Sequence, residues 1–197
     1  ILKKFDYVSW NDSIKELHKP ENIGKYKDNF YQRLAFDEIF STFLVNSEIR
    51  KKIKKTKKIK KKFDIKKQNE IISKLDFILT GDQNKTLEEI NKDLCSENKM
   101  FRLLQGDVGS GKTIVSLLSA FNTIDSGFQV AVMAPTEILA RQHFLLAKKI
   151  FPKDIKVELI SGKSTYSNKK IILNKLFKKE IDIIFGTHAL FQKKVEF

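Results

Sequence analysis

Cysteine is nearly absent from this 197-residue chain. The single Cys95 excludes an intramolecular disulfide and any zinc site built on a cysteine cluster. No apolar run approaches the roughly 18 residues of a membrane-spanning helix. The first residues, Ile1-Leu2-Lys3-Lys4-Phe5, do not form the continuous apolar core of a signal peptide. A reducing, cytoplasmic setting is therefore expected. There is no internal repeat. Histidine is scarce too, and His143 and His188 lack metal-ligand spacing. Arginine is rare: four residues against 34 lysines.

What is abundant is positive charge and apolar side chains. Hydrophobic residues make up 41% of the chain, with 16 Phe, so it is not disordered as a whole. The net charge is +14, but residues 50–67 alone contribute +11, leaving +3 for the other 179 residues. Two readings of this tract compete. Lys, Ile and Asn are residues of A/T-rich codons, so genome composition can inflate lysine and leave a solvated, self-repelling run. Alternatively the tract tracks nucleic-acid phosphates, which predicts salt-sensitive, sequence-independent DNA binding.

Apolar spacing organises the chain coarsely. A short helix is expected at Ile14–His18, capped by Asp12 or Ser13, with Pro20 and Gly24 breaking the chain after it. Phe30, Leu34, Ile39, Phe43 and their neighbours give a helical stripe. With Val45, Ile49 and Ile53 it predicts one long helix over about 27–62, broken near Asn46-Ser47. Another short helix is expected at Gln68–Leu75. From Phe77 the pattern alternates. Strands are expected at Met100–Gln105, Gln129–Ala134, Lys156–Ile160 and Ile181–Phe185. Helices are expected at Thr113–Ile124, from Thr136 to about Phe151, and at Asn168–Phe177. Gly127 is placed to cap the first of these three helices. The alternation predicts an α/β fold: a parallel sheet with flanking helices, preceded by a helical connector. In such sheets ligands collect beyond the carboxyl ends of the strands.

One strand-end loop carries specific chemistry. Gly106-Asp107-Val108-Gly109-Ser110-Gly111-Lys112-Thr113 fits G-x-x-x-x-G-K-[ST], and holds three of the eight glycines. Glycines let successive backbone N–H groups turn inward onto phosphate oxygens, and the following helix adds the positive end of its dipole. Lys112 is expected to reach the β and γ phosphates, and Thr113 to ligate Mg²⁺ through its hydroxyl. These two are the candidate catalytic residues. A GTPase would show Asn-Lys-x-Asp; Asn91-Lys92-Asp93-Leu94 fails at its fourth position. An acidic pair after an apolar strand, needed to hold the metal and orient water, is not found. A fragment cut at both ends is the expectation, inactive in hydrolysis by itself.

Three strings together resemble the RecG family of superfamily 2 DNA translocases: residues 106–113, Ala134–His143 (APTEILARQH) and Gly186–Gln192 (GTHALFQ). Upstream, Trp10 with Leu17-His18-Lys19-Pro20, and Arg33–Glu38, resemble the same family's connector. The transcription-repair coupling factor is the alternative, sharing the motor; it typically has Phe at the position of Ser110.

The resemblance implies several things. Residues 1–76 would be the helical connector. Residues 77–197 would be the first RecA-like ATP-binding lobe, cut before the Asp-Glu-x-His box. Gln83, in Leu79-Thr80-Gly81-Asp82-Gln83, would read adenine; Thr80 and Gln83 also have capping-box spacing, which alone would explain both. Phe77 would lie against the base or in the core. Thr136, Glu137 and Arg141, Gly162, and Thr187 with His188 would contact DNA phosphates; helix capping by Thr136 and packing by the histidines are the alternatives. The intact protein would be an ATP- and Mg-dependent helicase acting on branched or duplex DNA in recombination and repair. It would act as a monomer, with single-stranded-DNA-binding protein as a partner. The isolated chain could otherwise be a non-catalytic nucleotide- or DNA-binding module.

Overall fold

The computed structural model describes residues 8–19, 28–160 and 166–191. They fall into two compact units, divided between Thr56 and Lys57.

The first unit holds two helices, α1 (Trp10–Leu17) and α2 (Asp28–Lys55). The expected cap moves upstream. Ser9 accepts from the Asp12 N–H, so Asp12 lies in the first turn and Ser13 is buried inside the helix. Arg33 is buried and donates to the Val8 carbonyl at 3.1 Å while pairing with Asp37. Phe36 stacks on Phe40 with ring centroids 5.5 Å apart. α2 runs through Asn46-Ser47 without a break and stops at Lys55, short of the expected 62. The reason lies in the next residues. The backbone of 58–61 donates to Glu97 and Leu94 carbonyls at the end of another helix instead of continuing its own.

The second unit holds five helices among its described residues: α3 (Ile65–Ser73), α4 (Gly81–Cys95), α5 (Lys112–Asp125), α6 (Glu137–Ile150) and α7 (Tyr166–Phe177). Its strands are β1 (Val130–Met133), β2 (Val157–Ile160) and β3 (Ile183–Gly186), and a 3-10 turn follows at His188–Phe191. The sheet order is β1-β3-β2, all parallel, with Met133, Gly186 and Ile160 level with one another. β3 is central because it is apolar on both faces, as a strand covered by helices on each side must be. Ile183 and Phe185 join the core of α3, α4, α5 and α6. Ile184 points the other way, into a smaller cluster with Leu176 of α7 and Leu190. Gln129 fixes the far end by donating to the Leu176 and Ile181 carbonyls. α5 ends as expected on Gly127, whose N–H meets the Ile124 carbonyl while Phe128 N–H meets that of Thr123.

A further expectation fails. Met100–Gln105 forms no strand and belongs to no ladder, and Phe101 and Leu103 are exposed. A strand needs a neighbour to accept its N–H groups; β1, at the sheet edge, pairs only with β3 among the described residues. Arg102 holds this segment instead, through Asp93 and Glu89 of α4. Residues 57–76 cluster with the sheet-containing unit: Ile71 is buried in its core and Phe63 packs against that core. No described helix is long and apolar enough to cross a membrane.

Candidate nucleotide-binding site

The loop 106–111 enters α5 through Gly111, the N-cap, at φ +80°. That left-handed conformation is open to glycine and strained for other residues. Gly106 is needed for a different reason: a Cβ there would sit 2.8 Å from Ser110 Oγ. The cradle is thus shaped by absent side chains, which is what a phosphate-binding loop requires. Val108 is fully exposed at its apex, with Asp107 and Gly109 beside it. Lys112 curls over the loop and donates to the Gly106 carbonyl at 2.8 Å and the Asp107 carbonyl at 2.6 Å. Its ammonium is therefore held inside the turn of the loop. Thr113 follows in the first turn of α5, half-buried. The loop glycines, the ammonium and the adjacent hydroxyl fit a triphosphate with its magnesium ion.

Gln83 stands on the flank. Thr80 caps α4, accepting from the Gln83 N–H at 3.2 Å, while Gln83 Oε1 accepts from the Thr80 N–H at 2.9 Å. The expected capping box is therefore formed. It does not use the whole side chain. Gln83 Nε2 donates to the Ser110 carbonyl at 2.9 Å, tying α4 to the phosphate loop. A cleft of about 350 Å³ lies between them. Asp82 also lines it, as do Thr86 and Gln105, which lie outside the motifs. Thr86 was accessible in principle, being one helical turn beyond Gln83. Phe77 sits elsewhere. It lines a separate cleft of about 230 Å³ with Ile71, Ile114, Leu146 and Ile150. There Lys149 hydrogen-bonds Asp76 at 2.7 Å and holds that carboxyl below its ordinary pKa.

Among the described residues, the expected DNA contacts follow the ends of β1 and β3, which are parallel with Met133 level with Gly186. Thr136 follows β1, caps α6 by accepting from the Leu139 N–H at 3.3 Å, and stays exposed. Glu137 opens α6, and Arg141 is exposed on it. Thr187 and the exposed His188 follow β3. Gly162 lies outside the described residues, as does Gln192.

The basic tract divides. Arg50, Lys51 and Lys52 are exposed on α2, with Lys51 paired to Glu48. Residues 57–62 form a strap along the end of α4. Lys58 Nζ donates to the Asp93 and Leu94 carbonyls in the last turn of that helix. Lys61 lies over the Phe128 ring. Burial lowers the pKa of both lysines. Sequence alone could not separate these halves, since the spacing of lysines does not change at Thr56.

A P-loop entering a helix beside a parallel sheet defines a nucleotide-binding α/β domain of RecA-like type. The family model described as DEAD/DEAH box helicase matches residues 80–196, and the chain belongs to that family. Over its full length it is 41% identical to the ATP-dependent DNA helicase RecG of Aquifex aeolicus (strain VF5), covering 26% of that protein. It is 40% identical to the ATP-dependent DNA helicase RecG of Thermotoga maritima, covering 25%. A solved structure of RecG bound to a three-way DNA junction matches all of this chain with a TM-score of 0.76 and 39% identity, over 27% of that chain. The chain thus spans about a quarter of the length of these relatives.

Proposed function

We propose that this chain is the ATP-binding part of an ATP-dependent DNA translocase that remodels branched DNA, by fork regression or branch migration. The observation that carries the reading is the phosphate loop with Lys112 already turned into it, in a chain whose full length is similar to RecG helicases. Lys112 would hold the β and γ phosphates, Thr113 the magnesium ion, and the N–H groups of 109–113 the remaining oxygens. Magnesium, when bound, supplies charge neutralisation on the transferring phosphate. Gln83 would read adenine, and its bond to Ser110 would let base recognition bear on the loop. Thr136, Arg141, Gly162, Thr187 and His188 would grip one strand's phosphates without reading sequence. The test is hydrogen exchange. ATP with magnesium is expected to slow exchange at 106–113 and at 80–83, and GTP to slow it only at 106–113. Unchanged exchange at 106–113 with ATP would rule the reading out.

The halves of the lysine tract should behave differently. Replacing Lys58 and Lys61 by alanine is expected to lower the melting temperature by about 2–4 °C, the effect of about 1 kcal/mol in a chain of this size. Replacing Arg50, Lys51 and Lys52 is expected to leave it unchanged but to flatten the salt dependence of DNA binding. Equal melting temperatures for the two variants would show that the strap carries no structural load.

A further inference from the structure

Three amides, two buried and the middle one half-buried, run in a chain across the second unit. Asn122 of α5 donates through Nδ2 to Asn91 Oδ1 of α4 at 2.7 Å. Asn91 donates in turn through Nδ2 to Gln68 Oε1 of α3 at 3.1 Å. Gln68 and Asn122 are 3% and 0% exposed, so this is core, not surface. The chain is poorly closed at its ends: Gln68 Nε2 and Asn122 Oδ1 are buried without a hydrogen-bond partner. A net hydrogen bond stabilises by less than a buried orphan costs, so two bonds do not offset two orphans. Apolar side chains of the same size would hold these helices together at least as firmly.

What apolar packing would not give is register. Leucines tolerate sliding of one helix along another, whereas Asn91 uses its one donor group and its one acceptor atom in opposite directions at once. Only one placement of α4 closes both bonds. α4 meets the phosphate-loop element at a second point, where Gln83 donates to Ser110. The two points lie eight residues apart on α4, about 12 Å along its axis. A helix pinned at one end and free to slide at the other would carry Gln83 off the loop.

We propose that Asn91 is a positioning residue for nucleotide recognition. The chain Gln68–Asn91–Asn122 sets the register of α4 against α5, and α4 delivers Gln83 to the loop. This rests on the reading that the loop binds ATP and that Gln83 reads adenine. It also gives α3 a role, since the amide at its N-terminal turn is the chain's other anchor.

The experiment compares the full chain with its Gln68→Leu/Asn91→Leu/Asn122→Leu variant, which leaves none of the three amides unpaired, by melting temperature, by affinity for ATP and for GTP, and by hydrogen exchange at 106–113. The expected result is an unchanged or raised melting temperature, an ATP affinity that falls about fivefold more than the GTP affinity, and faster exchange at 106–113. A purely structural role would move the melting temperature and leave the ATP/GTP ratio alone. If the triple variant does not fold, Asn91→Ala, at a half-buried site, is read by the ATP/GTP ratio and by exchange at 106–113 alone, since it leaves the Gln68 and Asn122 amides unpaired and lowers the melting temperature. Gln83→Ala keeps the two readings apart. If it leaves the ATP/GTP ratio intact, adenine reading by Gln83 fails, and exchange at 106–113 alone decides for Asn91. A folded variant with wild-type exchange there overturns the inference.

Discussion

Lys112→Ala is expected to lower the affinity of this chain for ATP by at least about 100-fold while leaving its melting temperature within about 2 °C. The ammonium bonds two loop carbonyls, Gly106 and Asp107, and touches Ser110 Oγ at 3.4 Å. It makes no contribution to the buried core. Phosphate oxygens replace neutral carbonyls with charged acceptors, and each such charge-assisted bond is worth about 1.5–3 kcal/mol. Two of them amount to about 3–6 kcal/mol, which gives the stated loss. Affinity for GTP should fall equally, because the lysine acts on phosphates and not on the base. Titration calorimetry with each nucleotide checks this. Loss for ATP alone would place Lys112 near the base, and an unchanged affinity would remove the phosphate loop from the function altogether.

The turn of loop 106–111 into α5 was legible in the sequence because its geometry is local. Gly106, Gly109, Gly111 and Lys112 act within eight residues, so spacing alone shows what the backbone must do. The β1, β2 and β3 positions were legible as well, since a buried parallel strand is a short apolar run wherever it lies. Met100–Gln105 has the same pattern and is not a strand, because a ladder depends on a neighbour that no local pattern encodes. The lysine tract failed for a related reason. Lys58 and Lys52 look alike in sequence, but the carbonyls of Asp93 and Leu94 select one of them. Phe77 and Gln83 are six residues apart and line different clefts, because the capping box turns the chain at Thr80. The amide chain was invisible: Asn91 attracted notice only as part of a failed guanine motif, and its partners lie 23 and 31 residues away.

Gly111→Ala is the second large effect, and its origin can be dissected. The φ of +80° makes any side chain there cost about 1–2 kcal/mol of backbone strain. A Cβ would also lie 2.3 Å from Gln83 Nε2. That atom is the end of a flexible side chain, so Gln83 swings away and the clash itself is cheap. What is lost is its bond to the Ser110 carbonyl, about 1 kcal/mol. Together these predict an ATP affinity lower by about 30–100-fold and a melting temperature lower by about 4–8 °C. Gly109 provides the comparison. Its φ is +83° but nothing lies within 4 Å of a Cβ there, so Gly109→Ala bears the strain alone. The decisive measurement is the cycle with Gln83→Ala. If Gly111→Ala acts partly through Gln83, its effect on the melting temperature should shrink by about a third when Gln83 is already alanine. Its effect on ATP/GTP discrimination should vanish in that background. Additive effects on both would mean that the loop and α4 respond independently, and that the glutamine reports only on its own cap.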